Sequence, residues 1–290
     1  MKALVLSGGS AKIGFQLGVY DALEDKNFDA FFGVSCGAIF SAMLAQDNYA
    51  LTKELILNLE NKHIYKGSLS KLSIVYRIIT GKNSLISMNP LRGMLIKYVK
   101  KENFKFPAYF SYTDLNTGEF KTVCSDNLET SEQIIDAIMA SASIPVIMPT
   151  VKIDGSLNVD GGLIKTCPLS EAVKINPDEI VVINCFNREK HTISKTNNVI
   201  NIALHCINNI MLEEMSKQSV NTFVLINSLI YKIGKKSELT RNNKAKTYKY
   251  IPIKIYEPDI DVELGDGFDF SKALMLDRFN KGLLTKFKTN

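Results

Sequence analysis

Gly33-Val34-Ser35-Cys36-Gly37 is a Gly-x-Ser-x-Gly sequence set between an apolar run, Ala30 to Val34, and a stretch of small and apolar residues, Cys36 to Leu44. A strand that turns sharply into a helix lifts a serine oxygen clear of the sheet, and flanking glycines leave room for the tight backbone. The helix N-terminus behind Ser35 favours developing negative charge. The chemistry that fits is nucleophilic attack by the Ser35 oxygen on an acyl carbon. The bland alternative is a glycine-rich turn with a capping serine.

Such a serine needs a base. The chain has three histidines, His63, His191 and His205. His63 falls in a basic stretch, His191 in a polar one and His205 in an apolar helical pattern, so none stands in a catalytic setting. Only 34 residues precede Ser35, enough for two strands, whereas an α/β-hydrolase elbow follows several. A histidine triad is therefore the weaker option, and an aspartate is the other. Val159-Asp160-Gly161-Gly162 places a carboxylate before two glycines, where a tight turn lets the side chain reach across. A carboxylate within hydrogen-bond distance can take the serine proton directly, though it is a weaker base than imidazole. Read alone, Asp-Gly-Gly is equally a plain turn.

A third cluster, Ser7-Gly8-Gly9-Ser10-Ala11-Lys12, closes the first apolar run and opens a helical pattern. Backbone N–H groups at such a junction can bind an oxyanion or a phosphate. Two nucleotide motifs fail here. Gly9 and Gly14 have the P-loop gap, but Phe15 follows where Lys is needed. Neither Gly8 nor Gly9 has a glycine two residues on, as a dinucleotide fingerprint requires.

These clusters need a scaffold. Lys2 to Leu6 and Ala30 to Val34 read as buried parallel strands, each followed by a helix, Lys12 to Glu24 and Cys36 to Leu44. Strand–turn–helix repeated in this way predicts an α/β sheet with right-handed crossovers. Leu51 to Leu59 and Pro90 to Val99 look helical. Phe106 to Leu115 and Glu119 to Cys124 form a hairpin around Asn116-Thr117-Gly118. Thr130 with Gln133 makes a capping box for a helix that ends near Ser143, before Pro145. A short strand, Val151 to Ile153, turns at Asp154-Gly155. Glu179 to Cys185 and Lys249 to Tyr256 read as strands, and Ile202 to Ser219 and Ser271 to Phe287 as helices. Without repeats or linkers, residues 1–290 are expected to form a single domain.

Composition narrows the class. The 290 residues are 46% hydrophobic and 22% charged, an ordinary globular mixture, and no apolar run reaches the roughly 18 residues of a spanning helix. The N-terminus does not resemble a signal peptide. The five cysteines are scattered, with no CxxC pair, which speaks against a disulfide scaffold or structural zinc and for a cytoplasmic compartment. The net charge of +5 is too mild to imply nucleic acid. Its distribution is uneven, with nine basic and no acidic residues between Asn61 and Lys101, and eight basic residues against Glu238 from Lys232 to Lys254. Such runs are solvated surface or attraction to anionic lipid headgroups. Leu69, Leu72, Ile74, Val75, Ile78 and Ile79 interleave with Lys71, Arg77 and Lys82, a pattern that suits either an interfacial amphipathic helix or a cap over the site. Glu257 to Asp269 is acidic, but Gly265 is misplaced for a calcium loop, so no metal is expected there.

Taken together, these residues resemble the patatin-like phospholipases. Gly8 to Ile13 is similar to the family's glycine-rich opening, Gly33 to Gly37 to its nucleophile sequence and Asp160-Gly161-Gly162 to its Asp-Gly-Gly/Ala. Ala140-Ser141-Ala142-Ser143-Ile144-Pro145 is similar to a further family segment, and Thr113 to Glu119 to a hairpin of bacterial members. The resemblance runs from residue 4 to about 185 and implies a three-layer α/β/α fold with a mostly parallel central sheet. It implies a Ser-Asp dyad, Ser35 the nucleophile and Asp160 the base, cleaving carboxylic esters of glycerolipids through an acyl-enzyme. Backbone N–H groups around Gly9, Ser10 and Ala11 would hold the oxyanion and Lys12 a lipid phosphate, with no metal or organic cofactor. Phospholipid is the implied substrate, with peripheral contact to anionic membrane; neither nucleic acid nor an activating protein or nucleotide can be read from the sequence. Ser10 and Ile13 stand where the family has glycine, so a positive φ at either would be strained. A soluble esterase or thioesterase with the same dyad, or a silent binding protein, are the competing expectations.

Overall fold

The computed structural model describes residues 1–67, 70–186, 202, 210–233, 236–241, 244–265 and 267–288. Its centre is an eight-stranded mixed sheet built from β1 (Lys2–Leu6), β2 (Ala30–Val34), β3 (Ala108–Asp114), β4 (Phe120–Cys124), β5 (Val151–Ile153), β6 (Ser156–Asp160), β7 (Glu179–Ile183) and β10 (Ile253–Tyr256). The order is β10-β7-β1-β2-β3-β6-β5, with β4 on β3. A separate hairpin joins β8 (Lys236–Arg241) to β9 (Lys244–Lys249).

The strands from β10 to β3 are parallel and their residues alternate between two buried faces. Leu4, Leu6, Phe31, Val181 and Ile183 point into the larger core, while Ala3, Val5, Phe32, Ile180 and Val182 point into the smaller one. Burial on both faces is why these strands read as continuous apolar runs rather than alternating ones. Helices cover both faces, giving three α/β/α layers.

The helices are α1 (Ile13–Ala22), α2 (Cys36–Ala45), α3 (Tyr49–Leu57), α4 (Asn61–Ile64), α5 (Lys71–Ile79), α6 (Asn89–Tyr98), α7 (Ser131–Ser141), α8 (Leu169–Val173), α9 (Leu212–Ile233) and α10 (Lys272–Leu284). Asn48 caps α3 through its side chain, and Thr130 with Gln133 forms the expected capping box of α7. None of the helices among the described residues is long and apolar enough to cross a membrane.

Three expectations need correction. The long helix predicted to end at Ser219 continues to Ile233 and is described over Leu212–Ile233, because Val220 and Ile230 continue its buried stripe; 203–209, with His205 and Cys206, lie outside the described residues, as do His191 and Leu69. The late strand from Lys249 is two strands, interrupted at Pro252, which has no N–H to donate to a ladder. Ser156–Asp160, for which the residue pattern predicts no strand beyond the turn at Asp154-Gly155, is a strand antiparallel to β3.

That last strand decides the site. Along β3, Ser111 pairs with Val34 of β2 and the next residue, Tyr112, pairs with Asp160 of β6. β4 takes the opposite edge throughout, opposing residues that also pair with β2 or with β6. β2 and β6 therefore meet end to end along one edge of β3, and the residue after Val34 faces Asp160.

Candidate functional site

Ser35 lies in the one-residue turn between β2 and α2, at φ 57° and ψ −124°. A side chain held there costs about 1–3 kcal/mol, so neighbours must hold it. The Ser141 hydroxyl at the end of α7 accepts the Ser35 backbone N–H at 2.8 Å and donates to the Ser111 carbonyl at 2.6 Å. The flanking glycines are required by close approach. A Cβ on Gly33 would stand 2.1 Å from the Gly37 carbonyl oxygen, and one on Gly37 would stand 2.4 Å from that of Leu6.

Asp160 ends β6, buried, with its main chain pinned on both sides. Its N–H donates to the Ser143 carbonyl at 2.9 Å and its carbonyl accepts from the Thr113 hydroxyl at 3.2 Å. The carboxylate accepts the Gly162 N–H at 2.7 Å and has the Ser35 side chain beside it, which favours its charged form. Gly161 packs its Cα against the Ser111 carbonyl. Burial pushes the Asp160 carboxyl up from its ordinary 3.8 to about 7, against the lowering effect of the bonds from Ser35 and Gly162. A carboxylate tuned in this way is a competent proton acceptor near neutral pH.

The glycine-rich loop runs beside this pair. Gly9 has φ 150° and Ser10 φ 52°, so the strain foreseen at Ser10 is present, whereas Ile13 is helical at φ −53°. The Lys12 N–H closes a turn on the Gly9 carbonyl at 3.0 Å. Two of the loop's donors are engaged elsewhere: the Gly8 N–H bonds the Thr166 carbonyl and the Ala11 N–H the Gly267 carbonyl, both at 2.8 Å. Among the described residues the Gly9 and Ser10 N–H groups have no such main-chain acceptor, and the Ser10 N–H acts on the Cys36 thiol by favouring its charged form. The Lys12 ammonium stacks over the Phe186 ring, 5.0 Å from its centroid. Burial first, then the neighbouring Cys185, pushes the Cys36 thiol well up from its ordinary value.

Ser35 and Ser10 line an apolar cavity. Ile39 and Met43 of α2, Leu55 and Ile56 of α3, Leu91 and Leu95 of α6, and Met148 and Phe270 form its walls. His63 is occupied elsewhere: its Nδ1 accepts the Glu60 N–H at 3.1 Å in the cap of α4. Among the described residues no cluster of His, Cys, Asp or Glu suits a metal ion. Ser141 and Ser143 are site residues that residue-type reasoning did not single out. Their signal was the Ser-x-Ser pair just before Pro145.

A family model described as Patatin-like phospholipase matches residues 4–173, more than half of the chain. An uncharacterized NTE family protein of Mycobacterium tuberculosis is 29% identical over 191 residues, covering 62% of this chain and 30% of that protein. Patatin-like phospholipase domain-containing protein 7 of Mus musculus is 26% identical over 196 residues, 65% of this chain and 14% of the mouse protein. A probable lipid hydrolase of Invertebrate iridescent virus 6 is 24% identical over 230 residues, 71% of this chain and 78% of the viral one. The chain thus matches under a third of the length of the mycobacterial and mouse relatives. The crystal structure of VipD from Legionella pneumophila aligns at a TM-score of 0.48 and 16% identity, covering 97% of this chain and 65% of that one.

Proposed function

The chain belongs to the patatin-like phospholipase family, and from that premise we propose that it is a lipid acyl hydrolase, with residues 1–290 acting as one catalytic domain. The observation that carries this reading is the apolar cavity lined by Ser35. A wall of Leu, Ile, Met and Phe side chains gains from a long hydrocarbon chain and gives a short polar ester nothing to hold. It therefore favours a glycerolipid over a soluble ester or thioester.

In the proposed reaction the Ser35 oxygen attacks the ester carbon while Asp160 takes its proton. The Gly9 and Ser10 N–H groups and the N-terminus of α2 stabilise the tetrahedral oxyanion. As the carbon–oxygen bond of the leaving alcohol breaks, Asp160 returns the proton to that alcohol and Ser35 carries the acyl group. Water then repeats the sequence, its proton passing to Asp160 and on to Ser35 as the fatty acid leaves. The pairing of Ser35 with Asp160 supports this dyad. Lys12 stands at the rim of the loop, where its charge suits a lipid phosphate, and no metal or organic cofactor enters any step.

The test is fatty-acid release from mixed phospholipid vesicles by the wild-type chain, Ser35→Ala and Asp160→Asn. Release that disappears in both variants is the expected result. Absent release with intact labelling of Ser35 by a fluorophosphonate would redirect the reading to another ester or to a missing activator. Absence of both would leave a silent binding protein.

A further inference from the structure

We propose that Arg278, in the C-terminal third beyond the family match, is the positioning residue of the oxyanion loop; the proposal rests on the hydrolase reading above. Arg278 is fully buried. Its guanidinium donates to three main-chain carbonyls: Leu264 at 2.7 Å, Asp269 at 2.7 Å and Ala11 at 3.2 Å. The first two clamp the ends of the 264–269 segment. The third belongs to the oxyanion loop itself. Between them, the Gly267 carbonyl accepts the Ala11 N–H at 2.8 Å. Both polar groups of Ala11 are thus fixed, one by Arg278 directly and one through the segment that Arg278 holds.

The rest of α10 makes this arrangement stiff. It crosses α1 backbone to backbone, so that a Cβ on Gly14 would stand 2.9 Å from the Met275 carbonyl oxygen and one on Gly18 would stand 2.0 Å from that of Phe279. α1 begins immediately after the loop, so α10 sets the height of both. The same segment leads into Phe270, a wall of the acyl cavity whose N–H donates to Asn61 at 2.9 Å. One buried cation therefore ties together the loop that would hold the oxyanion, its backing segment and the cavity wall.

Fixing both peptides of Ala11 constrains Ser10, whose own N–H lies in the next peptide back, between Gly9 and Ser10. Buried positive charge behind that peptide also favours an anion in front of it, and the guanidinium already acts electrostatically on Cys185, which packs against Gly9. Misplacing one oxyanion donor lowers kcat by about 10²–10³. Arg278 touches no substrate, so its loss is expected to act on kcat and not on KM.

The experiment compares wild type, Arg278→Lys and Arg278→Gln in steady-state hydrolysis of a long-chain ester and in the rate of Ser35 phosphonylation by a fluorophosphonate, whose oxygen occupies the oxyanion position. Folding is checked by circular dichroism. The expected result is folded variants with kcat and phosphonylation rate lowered together by about 100-fold, KM within about threefold, and Lys less impaired than Gln. Folded variants with wild-type kcat, or a loss confined to KM, would overturn the proposal. Hydrogen exchange on the wild type keeps the test open should a variant not fold: phosphonylation is expected to slow exchange in residues 7–13 and 262–270 together, and slowing in 7–13 alone would count against the coupling. A wild type that neither hydrolyses nor labels fails at the earlier step, the hydrolase reading itself.

Discussion

The Ser141 hydroxyl holds the backbone N–H of Ser35 at 2.8 Å, although the two residues are 106 apart in sequence. The same hydroxyl donates to Ser111, the β3 residue paired with Val34, and the Ser143 carbonyl two residues on accepts the Asp160 N–H. The end of α7 is therefore the joint between Ser35 and Asp160. It fixes the turn of one and the strand end of the other through a single short stretch of chain.

Ser141→Ala removes both bonds of that joint and leaves a buried N–H and a buried carbonyl unpaired. The expected cost is about 1–3 kcal/mol in a urea titration. Because the strained Ser35 turn loses its tie, kcat should fall at least tenfold. A stability loss without a kcat effect would show that the turn holds itself.

The Asp160 carboxyl gives two pH predictions with one cause. Its proton must be absent for it to act as base, so kcat/KM should rise with pH and level off above about 7. The stability effect has the opposite direction. The native group keeps its proton up to about 7 while the unfolded group releases it near 3.8, so between these values the native state binds more protons and stability falls as pH rises. That contribution is fully present below pH 3.8 and is lost as pH passes about 7. Asp160→Asn, which mimics the neutral acid, should match wild type at pH 4 and exceed it at pH 8 by on the order of 4 kcal/mol. Equal stability of the two proteins at pH 8 would contradict a raised Asp160.

Gly37→Ala places a methyl carbon 2.4 Å from the Leu6 carbonyl oxygen and 2.6 Å from that of Ser7. Both obstacles are backbone, which cannot swing aside as a side chain does. The expected destabilisation is about 3 kcal/mol, at the upper end for overpacking, with loss of hydrolysis. A melting temperature unchanged from wild type would show that the β1 end yields.

The Met43 side chain lines the cavity eight residues along α2 from Ser35, a rise of about 12 Å along the helix. Met43→Trp fills that depth. Hydrolysis of a sixteen-carbon ester should fall at least tenfold, on the order of 1.4 kcal/mol, while a four-carbon ester is cleaved at the wild-type rate. Equal losses on both chains would mean the acyl group lies elsewhere.

Much of this was legible in the sequence, for particular physical reasons. Gly33 to Gly37 and the two apolar runs around Lys2 and Ala30 announce buried parallel strands and a strand-to-helix turn, since each feature is local. The same holds for the capping box at Thr130. The antiparallel strand carrying Asp160 was not legible, because Ser156–Asp160 has mixed burial and its place is set by pairing with β3 residues 44–48 positions earlier. The engagement of the Ala11 N–H by Gly267 is likewise a contact between distant segments. Residue types name the reagents here, while long-range pairing selects which of them face the reaction.

Access to lipid gives the last prediction. On α5, Val75, Tyr76 and Ile79 are exposed by 52%, 64% and 79%, at spacings that put them within about 100° of one another around the helix. Ile74 is buried, so the helix has one face on the protein and one in solvent. The chain after α5 runs beside the cavity lining, where the Leu85 and Ile86 N–H groups donate to the Val146 and Ile147 carbonyls, between two lining residues, Ile144 and Met148. Val146 is itself 61% exposed, which adds a further apolar side chain to this surface. Apolar side chains among lysines, with no acid between Asn61 and Lys101, suit the surface of an anionic bilayer. Arg77 is a poor choice for testing this, because its guanidinium donates to the Ser84 carbonyl and its loss would also disturb the loop. Lys71→Glu with Lys82→Glu is cleaner. With each nearby charge contributing about 1 kcal/mol, the double variant should bind anionic vesicles at least tenfold more weakly. Its hydrolysis of a monomeric ester should be unchanged. Unaltered vesicle binding would make α5 a cap over the cavity, with its lysines simply facing water.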